Sequence, residues 1–361
     1  MRVGIVTFHC AYNFGSVLQA YALKRCIELM GHEVNVVDFR GPDFKQYKLM
    51  SLTRPKRVLS NITHYQKNSR RRDSFEGFIT ENLSLTRRYT MRSAKRMREL
   101  SKEFDCFVCG SDQIWNLDCT HGPIAPYFLD FAGDARRVAY APSLSHTSFE
   151  ECNFGPDQQR LISQWLSRFT AISVRESSTV GLFQPLTPLE IKVCLDPTLL
   201  LDADDYSAVL RPVDCSGMLF VYMLEDNPSL IEYGSRLAKK MSLAVGYVSK
   251  DDIDFGVPAH NFYGVGPGEF LGIVASSEGV ITNSFHATVF SLAFGKPFQT
   301  FSTARSGARM TELLTDLGEE SHLVTGDEIS LPSAAPQDVL ARRLSKKRDD
   351  SLAYLSTALS E

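Results

Sequence analysis

Residues 2–39, RVGIVTFHCAYNFGSVLQAYALKRCIELMGHEVNVVDF, hold two short apolar runs with one helical pattern between them. RVGIVTF is the first run and EVNVVDF the second. Between them VLQAYALKRCIELM repeats apolar residues at helical spacing, and Gly31 stops the pattern. A strand, a helix and a strand in that order make a right-handed parallel crossover. The turn-rich loop HCAYNFGS, residues 9–16, then falls at the carboxyl end of the first strand, where open α/β sheets bind ligands.

The alternation continues along the chain. FDCFVCG (104–110), RRVAYAP (136–142), AISVRE (171–176) and IKVCLDP (191–197) read as strands. Helical patterns fall at about 156–168 and from ESSTVGLF (176–183). Pro197 and the acids of LDADDY mark a domain boundary near 202–206. Beyond it come MLFVYML, SLIEYGSRLAKKM, LAVGYV, GPGEFLGIVASS, GVIT, FHATVFSLAF and KPFQTF, strands and helices in turn, then a final helix over about 336–358. The predicted fold is α/β: two doubly wound Rossmann-like domains facing across a cleft, a GT-B-like layout. The expected divisions are 1–203, 204–335, and a C-terminal helix in 336–361 packing back on the first domain.

The 361 residues are 43% hydrophobic and 22% charged, which fits a globular chain and excludes wholesale disorder. No run reaches the ~18 apolar residues a membrane helix needs. MRVGIVTFHC lacks the apolar core of a signal peptide and reads as a strand, so the expected location is the cytoplasm. Eight cysteines are scattered. Cys106 and Cys109 form a C-x-x-C, but a strand sends residues three apart to opposite faces, so no shared metal is expected. Between Lys45 and Leu100 fifteen Lys/Arg face four acids, a net +11 that leaves about −14 for the remainder. Either this insert of about 45–100 is a solvated helical segment, or it meets phosphate-rich material such as anionic lipid headgroups or a lipid-diphosphate carrier. No nucleic-acid-binding motif is present, and none is expected as a partner.

Four places could carry chemistry. In ITNSFHATVFSLAFGKPF (281–298) Asn283 or Ser284 caps a helix and His286 falls in its first turn, where free N–H groups bind anions. His286 could equally fill a gap there. Arg175, just past an apolar strand, suits a carboxylate or phosphate, or an ion pair with Glu176 or Asp196. In GSDQIWN (110–116), Gly110 permits a sharp turn, Asp112 could act as base or bind sugar hydroxyls, and Trp115 offers a face for a sugar; the alternative is an Asx-turn beside a core tryptophan. YGVGPGEF (263–270) is a poor phosphate loop, because Pro267 removes a donor, and reads as a turn opening a helix. Arg305 and Arg309 follow the last strand in a Ser/Gly-rich loop.

YNFGSVLQAYAL, GSDQIWN, SVRESS, LDPTLLLD and VGPGEFL…VITNSFHATVFSLAFGKPF, in this order and spacing, resemble the polysaccharide pyruvyl transferase family over about residues 2–318. The resemblance implies a GT-B-like enzyme that transfers the pyruvyl group of phosphoenolpyruvate to two hydroxyls of a sugar as a ketal and releases phosphate. No metal or other cofactor is implied. Its acceptors would be cell-surface saccharides or their lipid-linked precursors, met at the inner face of the membrane. By this resemblance His286 matches the family histidine near the donor site and Arg175 the donor-binding arginine; the implied chemistry makes His286 the acid or phosphate partner and suits Asp112 as the base. Arg175, Asn283 and Ser284 lie on the donor side; Asn13, Phe14, Gly15 and Trp115 lie on the acceptor side. Members of the family often carry Arg-Leu-His where this chain has Ser284-Phe285-His286, so Arg309 or Arg305 is expected to supply the missing charge. The competing expectations are a GT-B glycosyltransferase that grips a nucleotide sugar with Glu269, and a non-catalytic carbohydrate-binding protein on the same scaffold.

Overall fold

The structure, a computed structural model, describes residues 1–42, 44, 64–145, 148–149, 151, 154–303, 307–326 and 328–360. The chain divides into two compact units. The first comprises Met1–Lys48, Ile79–Leu201 and Lys346–Glu361, and the second Leu49–Phe78 and Asp202–Ser345.

The first unit is built on strands β1 (Arg2–Val6), β2 (Glu33–Val36), β5 (Cys106–Cys109), β6 (Arg136–Ala139), β7 (Ala171–Val174) and β8 (Ile191–Val193). They form one sheet in the order β2-β1-β5-β6-β7-β8, every pair parallel. A separate parallel pair joins β3 (Phe39–Arg40) to β4 (Tyr89–Thr90). Helix α1 (Phe14–Leu29) starts where Asn13 accepts from Ser16 N, and the chain leaves it through Gly31 at φ 86°. Phe14, Val17, Leu18, Ala22, Leu23 and Ile27 are all buried, which suits a helix laid on a sheet. Further helices run over α3 (Pro156–Leu166), with proline in its first turn, and α4 (Ser177–Phe183). Burial pushes the Cys106 thiol up to about 12 and the Cys109 thiol well above its usual range, so both cysteines of the C-x-x-C are inert core residues.

Met91–Lys102 is a 3-10 helix, and its side chains explain the choice. Met97 and Leu100 are buried, and Ala94 packs against the same core. Residues 94, 97 and 100 are three apart, the spacing at which 3-10 side chains stack in one row.

The second unit carries β9 (Met218–Tyr222), β10 (Ala244–Tyr247), β11 (Ala259–Asn261), β12 (Gly279–Thr282) and β13 (Phe298–Thr300), ordered β11-β10-β9-β12-β13 and again all parallel. Its helices are α5 (Pro228–Met241), α6 (Pro267–Ser276), α7 (Phe285–Ala293) and α8 (Gly307–Leu317). Asn227 caps α5 through Leu230 N at 3.1 Å. The edge strand β11 was invisible in the sequence because Ala259, His260 and Asn261 have no apolar alternation.

One segment falls differently from expectation. Helix α2 (Tyr65–Asn82) comes from the basic insert expected in the first domain, yet residues up to Phe78 belong with the second unit. The reason is Arg71: its guanidinium lies 4.9 Å from the Tyr263 ring and 4.8 Å from that of Phe75, and it donates to Tyr263 O at 3.0 Å. Ser74 adds a bond to Gly264 O at 2.9 Å. Helix α9 (Gln337–Ser360) is shared as well. Gln337 donates to Leu292 O at 2.7 Å in the second unit. From Lys346 onward the helix belongs to the first, where Tyr354 donates to Ala139 O and Ser351 accepts from Leu195 N.

Gly272 in α6 makes a sharp test of packing in the second unit. An added Cβ would sit 2.0 Å from Arg211 O. Glycine to alanine inside a helix normally stabilises by up to ~1 kcal/mol. Here Gly272→Ala is expected to destabilise by about 3 kcal/mol through overpacking, read as a lowered urea midpoint.

Candidate functional site

In the first unit strand order reverses at β1, which has β2 on one side and β5 on the other. Such a switch point splays the two following loops apart and opens a crevice at the strands' carboxyl ends. The loops are 7–13 and 110–116, and a polar strap joins them. Ser16 Oγ donates to Asp112 Oδ2 at 2.6 Å, and Gln19 Oε1 accepts from Ser111 N at 3.2 Å. Gln19 Nε2 in turn donates to Thr7 Oγ1 at 2.9 Å, and Thr7 donates to Ser111 O at 3.1 Å. Gly110 makes the turn at φ 119°; a Cβ there would lie 2.0 Å from Tyr140 O. Asp112 follows at φ 64°, a left-handed conformation that aspartate tolerates. Its second oxygen accepts from Gln113 N at 2.9 Å. Asp112 was expected to be exposed at the strand end, but it is only 7% exposed because Ser16 draws its carboxylate inward.

Three site expectations in this unit are corrected. Trp115 is no sugar platform: it is 0% exposed, stacked between Phe128 and Phe183 at 5.2 Å on each side, with its N–H satisfied by Tyr127 O. Phe14 is likewise fully buried and has no face to offer an acceptor. Arg175 does not point outward. Its Nη2 pairs with Asp196 Oδ2 at 2.6 Å and donates to Ser111 Oγ, all three residues being buried. A carboxylate as buried as Asp196 requires a counter-charge, and Arg175 supplies it while pinning the residue before Asp112. Asn13 spends its side-chain oxygen on the cap of α1, and Gly15 lies buried in that helix's first turn.

Beside this strap lies a cluster that motif reading missed. Asp38, buried after β2, accepts from Arg40 Nε at 2.9 Å and Arg88 Nε at 3.0 Å. His9 Nε2 stands 3.2 Å from the same carboxylate, and His9 Nδ1 meets Thr7 O. Burial pushes the Asp38 carboxyl up, but the hydrogen bonds and charges of His9 and Arg40 overcome it and hold the group well below its usual range. The cluster fixes the start of the loop that ends at Asn13.

The second unit repeats the arrangement. Its order reverses at β9, between β10 and β12, so the switch point lies where the loops after β9 and β12 diverge. Asn283 bridges them: its Oδ1 accepts from Leu224 N at 2.8 Å and its Nδ2 donates to Glu225 O at 2.7 Å. Ser284 is the N-cap of α7, accepting from Ala287 N at 3.4 Å. His286 falls in the first turn and is 9% exposed. The ring of Phe285 meets His286 edge-on at 5.3 Å, and the Arg309 guanidinium lies 5.5 Å from the same ring. Arg309 stands in the first turn of α8 and is 8% exposed. Thus Asn283, Ser284, His286 and Arg309 gather at one helix N-terminus, with Phe285 shared between His286 and Arg309. Arg305 lies outside the described residues. Glu269 closes the start of α6, accepting from Gly266 N at 3.1 Å and pairing with Arg211 at 3.7 Å.

A model of a family described as polysaccharide pyruvyl transferase matches residues 13–304. Comparison with curated proteins gave no match. Among solved structures the chain is similar to one described as a UDP-N-acetylglucosamine 2-epimerase from Listeria monocytogenes, at 10% identity and TM-score 0.51, covering 99% of this chain and 90% of that one. It is also similar to an α-glucosyltransferase (AGT) in complex with UDP, at 10% identity and TM-score 0.50, covering 98% and 95%. At such identity the likeness concerns the fold, which is GT-B-like: two Rossmann-like units, each on its own parallel sheet.

The lowered Asp38 carboxyl gives a pH signature. A depressed folded-state value means stabilisation that is present above the ordinary value of 3.8 and lost as pH falls towards the folded one. Asp38→Asn should therefore lower the urea midpoint at neutral pH, with the gap to wild type closing progressively below pH ~4.

Proposed function

The chain belongs to the polysaccharide pyruvyl transferase family, and from that premise we propose that it moves the pyruvyl group of phosphoenolpyruvate onto two hydroxyls of one sugar, forming a ketal and releasing phosphate. The acceptor we propose is a cell-surface saccharide or its lipid-linked precursor, met in the cytoplasm at the inner face of the membrane. Among the described residues no helix is long and apolar enough to cross a membrane.

The reaction asks for a small set of groups. The enol phosphate becomes electrophilic at C2 when its methylene takes a proton, so an acid is needed. A sugar hydroxyl adds to C2 as it loses its proton; the bond from C2 to the phosphate oxygen then breaks, and the second hydroxyl closes the ketal. One hydroxyl proton balances the new methyl group and the other leaves with phosphate. The donor's phosphate and carboxylate must be held throughout.

The observation that carries the proposal is the N-terminus of α7 at the second unit's switch point. The partial positive charge of a helix N-terminus favours an anion, and His286 and Arg309 both meet Phe285 there. We assign His286 as acid or phosphate partner and Arg309 as the cation that stands in for the family arginine at Ser284. Asp112 is assigned as the base that takes the hydroxyl proton, its oxygens held by Ser16 and Gln113. Arg175 acts on Asp112 through Ser111, as a positioning residue. The engagement of Glu269 at the start of α6 speaks against a nucleotide-sugar donor gripped there.

Phosphate release from phosphoenolpyruvate in the presence of acceptor saccharides is the direct assay. His286→Ala should lose it by about a thousandfold or more while keeping the wild-type urea midpoint. Arg309→Gln should chiefly raise KM for phosphoenolpyruvate, by about tenfold to a hundredfold. A His286→Ala variant with full activity would remove the assignment. Wild type releasing no phosphate with any acceptor would favour a non-catalytic carbohydrate-binding role.

A further inference from the structure

We propose that the exposed face of the 3-10 helix Met91–Lys102 is a docking surface for an anionic membrane, with Arg92, Lys95 and Arg98 as its central row. The geometry of the helix makes the row. Ala94, Met97 and Leu100 occupy one of its three faces and hold it to the core. With three residues per turn, residues 92, 95 and 98 stack on the next face, their charges about 6 Å apart at ~2 Å rise per residue. All three are exposed, and so are Arg96 and Lys102 on the remaining face. An α-helix would rotate this row by 300° every three residues instead of keeping it straight.

Charge and chemistry point to lipid. Residues 87–102 carry seven Lys/Arg against the single acid Glu99, in a chain whose net charge is −3. Glu99 is taken up by Arg87, and Glu103 follows the helix. Met91 opens the row of 94, 97 and 100, but at the helix start it is 47% exposed beside Arg92, an apolar group suited to the boundary between headgroups and acyl chains. Single-stranded nucleic acid would want exposed rings for stacking, but Tyr89 is 2% exposed and residues 91–102 contain no aromatic side chain. On α2 two of the three arginines are engaged, Arg71 on Tyr263 and Phe75 and Arg72 with Asp73 at 2.7 Å. The inference goes beyond the proposed reaction and stands on this helix alone. It would bring the enzyme to a lipid-linked acceptor.

The test is co-sedimentation of the full chain with vesicles of phosphatidylcholine, with or without a fraction of phosphatidylglycerol. Wild type should pellet only with the anionic vesicles and be released by high salt. Each basic side chain near such a surface contributes roughly fivefold in affinity, so R92E/K95E/R98E should weaken binding by about a hundredfold or more. The control R236E/K239E/K240E changes net charge equally on α5 and should bind nearly as wild type. Both variants alter exposed side chains, so their urea midpoints should match wild type. Failure of wild type to pellet with phosphatidylglycerol would overturn the proposal. So would equal weakening of both variants, or tighter binding to DNA than to the vesicles. Phosphate release with a water-soluble acceptor should survive R92E/K95E/R98E, which separates this surface from the chemistry.

Discussion

A parallel sheet covered on both faces leaves its polar side chains one place to go, the ends of its strands, and both units of this protein obey that constraint. The central strands β1, β5, β9 and β12 are mostly apolar. Beyond their carboxyl ends stand Thr7, Ser111 and Asp112 in the first unit and Asn283, Ser284 and His286 in the second. The reversal of strand order then selects which ends diverge enough to receive a ligand, β1 with β5 and β9 with β12. Neither crevice stays open by itself, because a gap between two loops would collapse or leave backbone groups unpaired. Ser16, Gln19 and Asp112 tie the first pair of loops, and Asn283 ties the second. The straps are preorganised polar networks, and they hold the functional groups at fixed positions.

Much of this was legible in the chain, for reasons of periodicity. Parallel strands buried on both faces read as short apolar runs, and the helices between them keep a 3.6-residue pattern, so β1, α1, β2, β9, α5, β12 and α7 were recoverable to within about three residues at either end. The cap at Ser284 and the placement of His286 in the first turn followed from local chemistry. What escaped was whatever depended on a distant partner. β11 is exposed and has no pattern; the 3-10 helix shows its three-residue stripe only once 94, 97 and 100 are seen to face inward. Helix α2 was assigned to its sequence neighbours, and the contacts of Arg71 with Tyr263 and of Ser74 with Gly264 reveal its attachment.

The site residues divide along the same line. Asn283, Ser284, His286 and Arg309 gather because they follow one strand or flank one ring. Trp115 and Arg175 misled because their residue types suit both a site and a core. A tryptophan after a strand end stacks on sugars or on phenylalanines, and here Phe128 and Phe183 had filled the space. An arginine at a strand end binds a donor or neutralises a buried acid, and Asp196 decides it. A signal for the strap was present in VLQAYAL, where Gln19 interrupts an apolar helix face. A polar residue at a position helical spacing reserves for the core needs a buried partner, and Thr7 and Ser111 provide it.

The central proposal is that the ligand of the second unit's switch point is a small anion bearing one phosphate and one carboxylate rather than a nucleotide. Thermal unfolding of the wild-type chain in the presence of single ligands tests it without any knowledge of the acceptor. Phosphoenolpyruvate should raise Tm in a concentration-dependent way, His286→Ala and Arg309→Gln should each abolish most of that rise, and nucleotide sugars should leave Tm unchanged. Stabilisation by a nucleotide sugar with no response to phosphoenolpyruvate would contradict it.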